Sequence, residues 1–326
     1  MRTIRWGIIG CGDVTEVKSG PGFQKANNSS LVAVMRRNGV LARDYAQRHG
    51  VQKWYDNAEA LIHSPDVDAI YIDTPPSSHK EYTVKSAQAG KPIYVEKPMA
   101  PNFAECQAMI QACRAADVPL FVAYYRRALP RFLKIKELLE TRAIGDLRSV
   151  SIALYRSSDR VALSPQDAPW RVRPEIAGGG YFVDLASHML DFLDYVLGPI
   201  RSVQGFASNQ ARQYAAEDIV TGTFMFESGV HGVGTWCFTG FQHVDRTEIV
   251  GSEGKLSFAT FDASPVVLTT SAGVTEFPID YPAHIQQPLI QQVVDALNGQ
   301  GTCSSTGETA ARTTRVMDQM LEAYYA

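Results

Sequence analysis

Near its start the chain reads Ile4-Arg5-Trp6-Gly7-Ile8-Ile9-Gly10-Cys11-Gly12-Asp13-Val14-Thr15, a strand-like apolar run that passes directly into a glycine-containing turn. In dinucleotide-binding turns the first glycine makes the bend, the second lets the backbone approach a pyrophosphate, and the next helix points its N-terminus at the negative charge. Thr15 stands where a third glycine or alanine is usual. A tight strand-to-helix turn without a ligand is the alternative. We expect the pyrophosphate to contact Gly10, Gly12, Asp13 and Val14.

The following segments alternate strand and helix as βαβ units do. Strands are predicted over residues 31–35, 69–73, 92–95 and 120–123, and helices over 41–49, 79–89 and 102–116. An α/β fold follows, with a Rossmann-type, doubly wound parallel sheet in residues 1–122. Such a sheet binds its ligand beyond the carboxyl ends of its strands. The Gly10–Gly12 turn and Glu96-Lys97-Pro98, which ends the 92–95 run, should therefore share one edge.

After Tyr124 the pattern changes to longer strands separated by turns such as Glu227-Ser228-Gly229. These predict an α+β domain over residues 123–326 with a large, mostly antiparallel open sheet arranged as a meander. Its predicted strands are 147–156, 200–208, 219–226, 230–238, 245–250, 255–259 and 266–270. Helices are predicted over 131–140, 181–197, 286–298 and 309–325, and the last two could pack back on the first domain.

Composition narrows the class of protein. The 326 residues carry a net charge of −3, which gives no reason to expect a nucleic-acid or membrane partner. No stretch has the apolar length of a membrane span. Five cysteines form no C-x-x-C pair, so neither a disulfide framework nor a metal site is indicated. We expect a cytoplasmic enzyme of two domains.

The end of the second strand bears on cofactor choice. A site for NAD usually places a carboxylate there to bind the ribose 2′-hydroxyl, whereas Arg36 and Arg37 occupy these positions. Guanidinium groups match a 2′-phosphate. NADP is therefore expected in preference to NAD, the alternative being two exposed arginines at a helix start.

A second chemical cluster lies on the helix predicted over 181–197. At 100° per residue, Asp184, His188, Asp191 and Tyr195 fall on one stripe, opposite an apolar stripe. A solvated polar face is the alternative. Gly178-Gly179-Gly180 just before the helix indicates that backbone there approaches something closely.

These motifs resemble the Gfo/Idh/MocA oxidoreductases, the group of glucose–fructose oxidoreductase and inositol dehydrogenase. The resemblance rests on Gly10-x-Gly12, Glu96-Lys97-Pro98, Trp170-Arg171, the triple glycine with Asp184 and His188, and Ser305-Thr306-Gly307-Glu308, so it spans nearly the whole chain. It implies that Lys97 and His188 flank the reacting carbon with Asp184 beside them, and that the Lys97-Pro98 peptide is cis.

Further site residues are predicted less directly. Those expected at the cofactor are Thr74, Pro75, Pro76 and His79 after the fourth strand, Glu96 with Lys97, and Trp170-Arg171 in a loop from 157 to 177. Those expected at the substrate are Tyr125 and Arg126 after the sixth strand, with Asp184 and His188.

The resulting hypothesis is an NAD(P)-dependent oxidoreductase that moves a hydride to or from a hydroxyl or carbonyl carbon of a sugar, polyol or diol. Two alternatives remain open: a non-catalytic dinucleotide sensor, and a glycosidase that uses the nicotinamide transiently. We expect a homodimer or homotetramer formed through the C-terminal sheet. Substrate identity, stereochemistry and direction do not follow from the sequence.

Overall fold

The computed structural model describes residues 1–157, 164 and 167–326, and the chain divides into two compact units. The first contains Met1–Leu129 and Pro282–Ala311, and the second contains Pro130–Tyr281 and Arg312–Ala326. The sequence predicts a domain boundary at residue 122 and allows the last two helices to pack back on the first domain. The returning segment groups with the first unit through contacts such as the Gln286 Nε2 donation to Glu96 Oε1 at 2.7 Å. Contacts of this range leave no mark on the local sequence pattern.

The first unit is built on a six-stranded parallel sheet, which confirms the predicted Rossmann-type fold. Its order is β3-β2-β1-β4-β5-β6, the arrangement of dinucleotide-binding sheets. The strands are β1 Ile4–Ile9, β2 Ser29–Met35, β3 Lys53–Tyr55, β4 Ala69–Ile72, β5 Ile93–Val95 and β6 Leu120–Val122. The sequence did not predict β3, because this short edge strand has two exposed residues and no apolar run.

Six helices connect these strands: α1 Asp13–Val17, α2 Gly20–Lys25, α3 Gly39–His49, α4 Ala58–Ile62, α5 His79–Gln88 and α6 Phe103–Ala115. Three begin at asparagines whose side chains accept backbone N–H groups, namely Asn38, Asn57 and Asn102. The first helix is broken into α1 and α2 between Val17 and Gly20, with Lys18 in the break and Pro21 at the start of α2.

The second unit contains an eight-stranded sheet, mostly antiparallel as predicted. The strands are β7 Leu147–Ser157, β8 Ile200–Ser208, β9 Ile219–Phe226, β10 His231–Gly240, β11 Val244–Gly251, β12 Gly254–Phe258, β13 Val266–Thr270 and β14 Gly273–Phe277. The meander was wrong in one respect, because the order is β14-β13-β12-β11-β7-β10-β9-β8 and β7 pairs parallel with β10. Turn residues mark where a chain reverses but not that an earlier strand lies between two later ones. The sequence also did not predict β14.

One face of this sheet is covered by helices. They include α7 Pro130–Glu140, the short α8 Pro174–Ala177 and α9 Ser187–Leu197, which follows a π-helical segment at Phe182–Ala186. Phe132 of α7 contacts Phe192 of α9 and Phe258 of β12 at ring-centroid distances of 4.8 and 6.4 Å. These aromatic contacts form the core between the helices and the sheet.

Two helices end the chain, α10 Gln287–Leu297 and α11 Gly307–Tyr325, close to their predicted ranges. Within the second unit, Arg312 of α11 donates from Nε to Asp194 of α9 at 2.9 Å. None of the helices in the described part of the chain combines the length and apolarity needed to cross a membrane.

Candidate active site

The glycine turn after β1 has the geometry that the sequence predicted. Gly10 adopts a φ of +98°, and a Cβ there would lie 2.4 Å from the Asp73 carbonyl oxygen, so this position requires glycine. At Gly12 the nearest atom to a Cβ would be 3.8 Å away, which leaves the space above the backbone open. Gly10 therefore shapes the turn, and Gly12 provides a cradle that a side chain would fill.

Thr15 fills the third position of the motif without leaving it exposed. Its hydroxyl donates to the Gly12 carbonyl oxygen at 2.7 Å, and its own carbonyl accepts from the Tyr45 hydroxyl at 2.8 Å. A buried threonine thus fixes the turn where a small residue is usual. The same Thr15 carbonyl is 2.2 Å from where a Cβ of Gly20 would lie, so the chain after the break must pass close to α1.

The second strand ends beside this turn. Gly10 and Cys11 donate their N–H groups to the Met35 carbonyl oxygen, and Arg36 Nη1 donates to the Cys11 carbonyl oxygen at 3.4 Å. Arg36 and Arg37 are both exposed. Burial raises the pKa of the Cys11 thiol to about 11, so the thiol stays protonated next to them. The guanidinium of Arg36 consequently lies at the rim of the glycine turn.

Glu96 anchors the loop that carries Lys97. Its carboxylate is buried and accepts from the Tyr71 hydroxyl at 2.6 Å, from Gln286 Nε2 at 2.7 Å and from the Lys97 backbone N–H at 3.0 Å. Burial, followed by the charge of Glu96, raises the pKa of Tyr71 well above its usual value. The Lys97-Pro98 peptide is cis, as the resemblance implied. This geometry gives Glu96 a positioning role toward Lys97.

His79 links the Glu96–Pro98 loop to the loop after β4. Its fully buried ring places Nε2 2.6 Å from the Thr74 carbonyl oxygen and Nδ1 3.2 Å from those of Pro98 and Met99. Burial lowers the pKa of His79. Because a neutral imidazole carries a single N–H, the ring donates either through Nε2 to Thr74 or through Nδ1 toward Pro98 and Met99, but not in both directions at once. The Thr74 methyl is 2.8 Å from where a Cβ of Gly10 would lie. The turn, the β4 loop and the lysine loop thus meet at one sheet edge.

The other predicted positions in the first unit are mostly packed. Pro76 is buried in the short 3-10 turn Pro76–Ser78, which follows Pro75. Tyr125 and Arg126 are buried in the 3-10 turn Tyr125–Ala128, where the Arg126 guanidinium carbon lies 5.1 Å from the Tyr125 ring centroid. Arg127 next to them donates to the Ser304 carbonyl oxygen at 2.7 Å.

The second unit brings together Trp170, Arg171 and Asp184. Arg171 Nε lies 3.4 Å from Asp184 Oδ2, and its guanidinium carbon lies 4.5 Å from the Trp170 ring centroid. Trp170–Val172 forms a 3-10 turn. The loop predicted over 157–177 therefore contains this turn and α8, while 158–163 and 165–166 lie outside the described residues. A carboxylate held by a stacked arginine stands one helical turn before His188.

His188 is buried at the start of α9 and contacts the Phe261 ring at a centroid distance of 5.9 Å. Asp191 is also buried and accepts from the Thr313 hydroxyl at 3.5 Å. These two polar residues are therefore buried and do not form a solvated stripe. The sequence analysis placed Asp184 on the same stripe as His188 by assuming an α-helical turn of 100° per residue. That assumption does not hold at Asp184, because Phe182–Ala186 is π-helical and turns less per residue.

The triple glycine has a structural reason that the sequence did not reveal. Gly178 ends α8 with a φ of +82°, and a Cβ on Gly180 would lie 2.8 Å from the Glu217 carbonyl oxygen. Gly180 donates its N–H to Glu217 Oε1 at 2.8 Å, and Tyr325 donates its hydroxyl to Glu217 Oε2 at 2.5 Å. The close approach is thus made to the protein's own buried Glu217, which the sequence analysis missed because its partners Gly180 and Tyr325 are distant in sequence.

Asp245 was also missed. Its carboxylate accepts backbone N–H groups from Thr260, Phe261 and Asp262 at 3.0, 2.6 and 3.0 Å. This aspartate fixes the loop that presents Phe261 to His188. An acidic residue at the start of a strand was the only sign of this role in the sequence.

A Rossmann-type sheet with a glycine turn of this shape is typical of dinucleotide-binding domains, and the comparisons with known proteins identify the class as an NAD-binding oxidoreductase. Residues 4–124 match the NAD-binding Rossmann domain of an oxidoreductase family, and residues 132–257 match its C-terminal domain. The chain belongs to the GFO/IDH/MocA family of oxidoreductases.

Two relatives and one solved structure illustrate the similarity. The chain is 40% identical to oxidoreductase P35 of Formosa agariphila over 97% of each chain. It is 29% identical to 1,5-anhydro-D-fructose reductase of Ensifer adhaerens, covering 93% of this chain and 91% of that one. Levoglucosan dehydrogenase in complex with NADH and levoglucosan has the same fold, with a TM-score of 0.87 at 22% identity, covering 99% of this chain and 97% of that one.

Proposed function

We propose that this enzyme transfers a hydride between NADP(H) and a hydroxyl or carbonyl carbon of a sugar, polyol or diol. The observation that carries the proposal is the junction at the edge of the first sheet. There His79 and the buried Glu96 hold the Lys97 backbone beside the loop that borders Gly10. The open cradle at Gly12 fits the approach of a pyrophosphate to the backbone.

The chemistry requires two transfers. A nicotinamide dinucleotide held at the Gly10–Gly12 turn would supply the acceptor for the hydride of a carbinol carbon. The hydroxyl proton must leave at the same time, and we assign it to His188, because imidazole changes charge between about pH 5 and 8. The Lys97 ammonium stabilises the developing alkoxide. We assign to Asp184, which lies one helical turn before His188 and is paired with Arg171, the role of orienting His188.

The proposed preference for NADP rests on Arg36. Its guanidinium donates to the Cys11 carbonyl oxygen at 3.4 Å and stays exposed, so it can reach a 2′-phosphate at the end of β2. The relative levoglucosan dehydrogenase was solved with NADH. We assign the preference of this chain for NADP from its own Arg36 and Arg37 and not from that neighbour.

The substrate class is supported by relatives whose names refer to sugar and polyol chemistry, including myo-inositol 2-dehydrogenase of Thermotoga maritima, at 28% identity.

We further propose a cytoplasmic homodimer or homotetramer that associates through the open face of the β7–β14 sheet. All five cysteines are free, as expected in a reducing compartment.

A substrate screen tests this function. Sugars, polyols, trans-diols and the corresponding ketoses and aldehydes are supplied with NADP(H) or NAD(H), and nicotinamide absorbance is followed. We expect turnover of at least one carbinol or carbonyl substrate, with a higher kcat/KM for NADP(H). Cofactor binding without any change in absorbance across the panel would favour the sensor. Cleavage of a glycoside at constant absorbance would favour the glycosidase.

A further inference from the structure

A cluster of charged and aromatic side chains adjoins His188 within the second unit. Along β7 the side chains of Val150, Ile152 and Leu154 are buried under the helices, and Arg156 is the next residue on that face. Because β7 and β11 pair with Tyr155 opposite Val244, Arg156 stands opposite His243. Arg156 is therefore placed at the end of the helix-covered face.

Phe261 lies between Arg156 and His188. Its ring centroid is 5.9 Å from that of His188 and 5.6 Å from the Arg156 guanidinium carbon. Asp245 holds the backbone of this loop through three N–H groups, and Arg131 donates to the Asp262 carbonyl oxygen at 2.7 Å. The backbone that carries the Phe261 ring is thus held by Asp245 and, at the next residue, by Arg131.

The carboxylates of this cluster already have partners. Asp245 accepts the three backbone N–H groups, and Asp262 Oδ2 lies 2.6 Å from His243 Nε2. With its Nε2 proton donated to Asp262, His243 accepts from Arg156 Nη1 through Nδ1, at 3.2 Å. Within residues 1–157, 164 and 167–326, Arg156 forms no ion pair, and the remaining N–H groups of its guanidinium are suited to a carboxylate.

We propose that this cluster is a specificity site for a sugar acid, with the sugar ring on Phe261 and the carboxylate on Arg156. The proposal rests on the function proposed above, which places the reacting carbon at His188. The apolar C–H face of a pyranose packs on an aromatic ring, and a pyranose hexuronate carries its carboxylate on C5, the ring position opposite C2. Arg156 forms a charge-assisted pair with that carboxylate.

The test compares sugar acids with their neutral counterparts. D-glucuronate and D-glucose, D-galacturonate and D-galactose, D-mannuronate and D-mannose, and D-gluconate and D-glucitol form matched pairs. Wild-type enzyme should prefer at least one acid over its partner in kcat/KM. Arg156→Gln should lower kcat/KM for that acid by about 10- to 100-fold and change its neutral partner less than about threefold. Arg156→Lys should be intermediate, because it keeps the charge and loses the planar pair of donors.

Two further variants serve as controls. Arg148→Gln removes an arginine at the other end of β7, where it lies near Asp146, and should leave both members of each pair unchanged. Phe261→Leu removes the shared ring contact and should weaken acid and neutral sugar alike. Thermal unfolding of Arg156→Gln checks that the variant is folded.

Calorimetric titration of the same sugars onto enzyme saturated with oxidised cofactor separates this inference from the proposed function. If an acid binds and Arg156→Gln weakens its binding while no sugar is turned over, the specificity site stands and the proposed function fails. If neutral sugars are turned over but no acid is preferred or bound more tightly than its partner, the specificity site is refuted and the proposed function stands. Equal losses for both members of a pair in Arg156→Gln would also refute it.

Discussion

Arg36 and Arg37 replace the carboxylate that holds an NAD ribose, and they do so where β2 ends beside the glycine turn. A planar guanidinium that donates to the Cys11 carbonyl oxygen has one edge occupied and keeps other N–H groups for a phosphate. An exposed position is also compatible with a ligand that arrives from solvent. The support for the hypothesis of NADP preference is therefore the location of Arg36 and Arg37 beside the glycine turn.

Replacing both residues tests that hypothesis. Arg36→Ala with Arg37→Ala should weaken NADP binding by about 1.5–3 kcal/mol for each charge-assisted hydrogen bond that is removed, while NAD binding changes little. Calorimetric titration with each cofactor provides the measurement. Arg43→Ala, on α3, is a suitable control. Losses of equal size for the two cofactors would show that the arginines do not bind the 2′-phosphate.

At the scale of elements, the segment before α9 depends on a buried carboxylate. Glu217 accepts from the Gly180 N–H and from the Tyr325 hydroxyl, and so joins the start of the π-helical segment to the end of α11. Burial raises the pKa of Glu217. The stability that this group contributes is therefore complete below the pKa of the unfolded chain and is lost as the pH rises through the folded value.

Glu217→Gln is predicted to change the pH dependence of stability. The amide stays neutral, so the free energy of unfolding of the variant relative to wild type should increase as the pH is raised from about 4 to 7. Urea unfolding at several pH values measures this difference. Glu227→Gln, on an exposed turn, should show no such trend. A difference that is independent of pH would mean that Glu217 keeps an ordinary pKa.

The elements that the sequence predicted well are those with local signals. Examples are the apolar runs of β1, β4 and β5 and the Asn102 cap of α6, each of which depends only on residues that are neighbours in the sequence. The π-helical segment, the insertion of β7 beside β10 and the role of Glu217 depend on distant partners. Gly178-Gly179-Gly180 shows the same limit. The three glycines indicated that backbone approaches something closely, but they did not indicate that the partner is Glu217.

At the scale of the whole molecule, the β7–β14 sheet has one face covered by helices and one open. Phe206 and Val233 lie on the open face, 81% and 49% exposed, and the strand register places them in adjacent rows. Exposed apolar residues on a sheet face are typical of an interface between subunits. This supports the proposed self-association.

Introducing charge on that face tests the assembly. Wild-type protein should elute as a dimer or tetramer in size-exclusion chromatography with light scattering, and Phe206→Glu with Val233→Glu should shift it to monomer, because an uncompensated buried charge is costly. Leu133→Glu on α7 adds a charge to the helical side and should not change the mass. A monomeric wild type, or a double variant of unchanged mass, would contradict the proposed interface.

The central proposal is that Lys97, which stabilises the alkoxide, and His188, which takes the hydroxyl proton, serve the same chemical step. The most direct measurement is a double-mutant cycle on kcat, with NADP affinity determined in parallel. Lys97→Ala and His188→Ala should each lower kcat by about 10²–10⁴ with NADP affinity nearly unchanged, and the double variant should lose far less than the product of the two. Lys85→Ala on α5 and His63→Ala just after α4 remove a lysine and a histidine outside the proposed site and should retain wild-type kcat. Single variants that keep kcat, or that lose NADP binding in proportion to activity, would contradict the account.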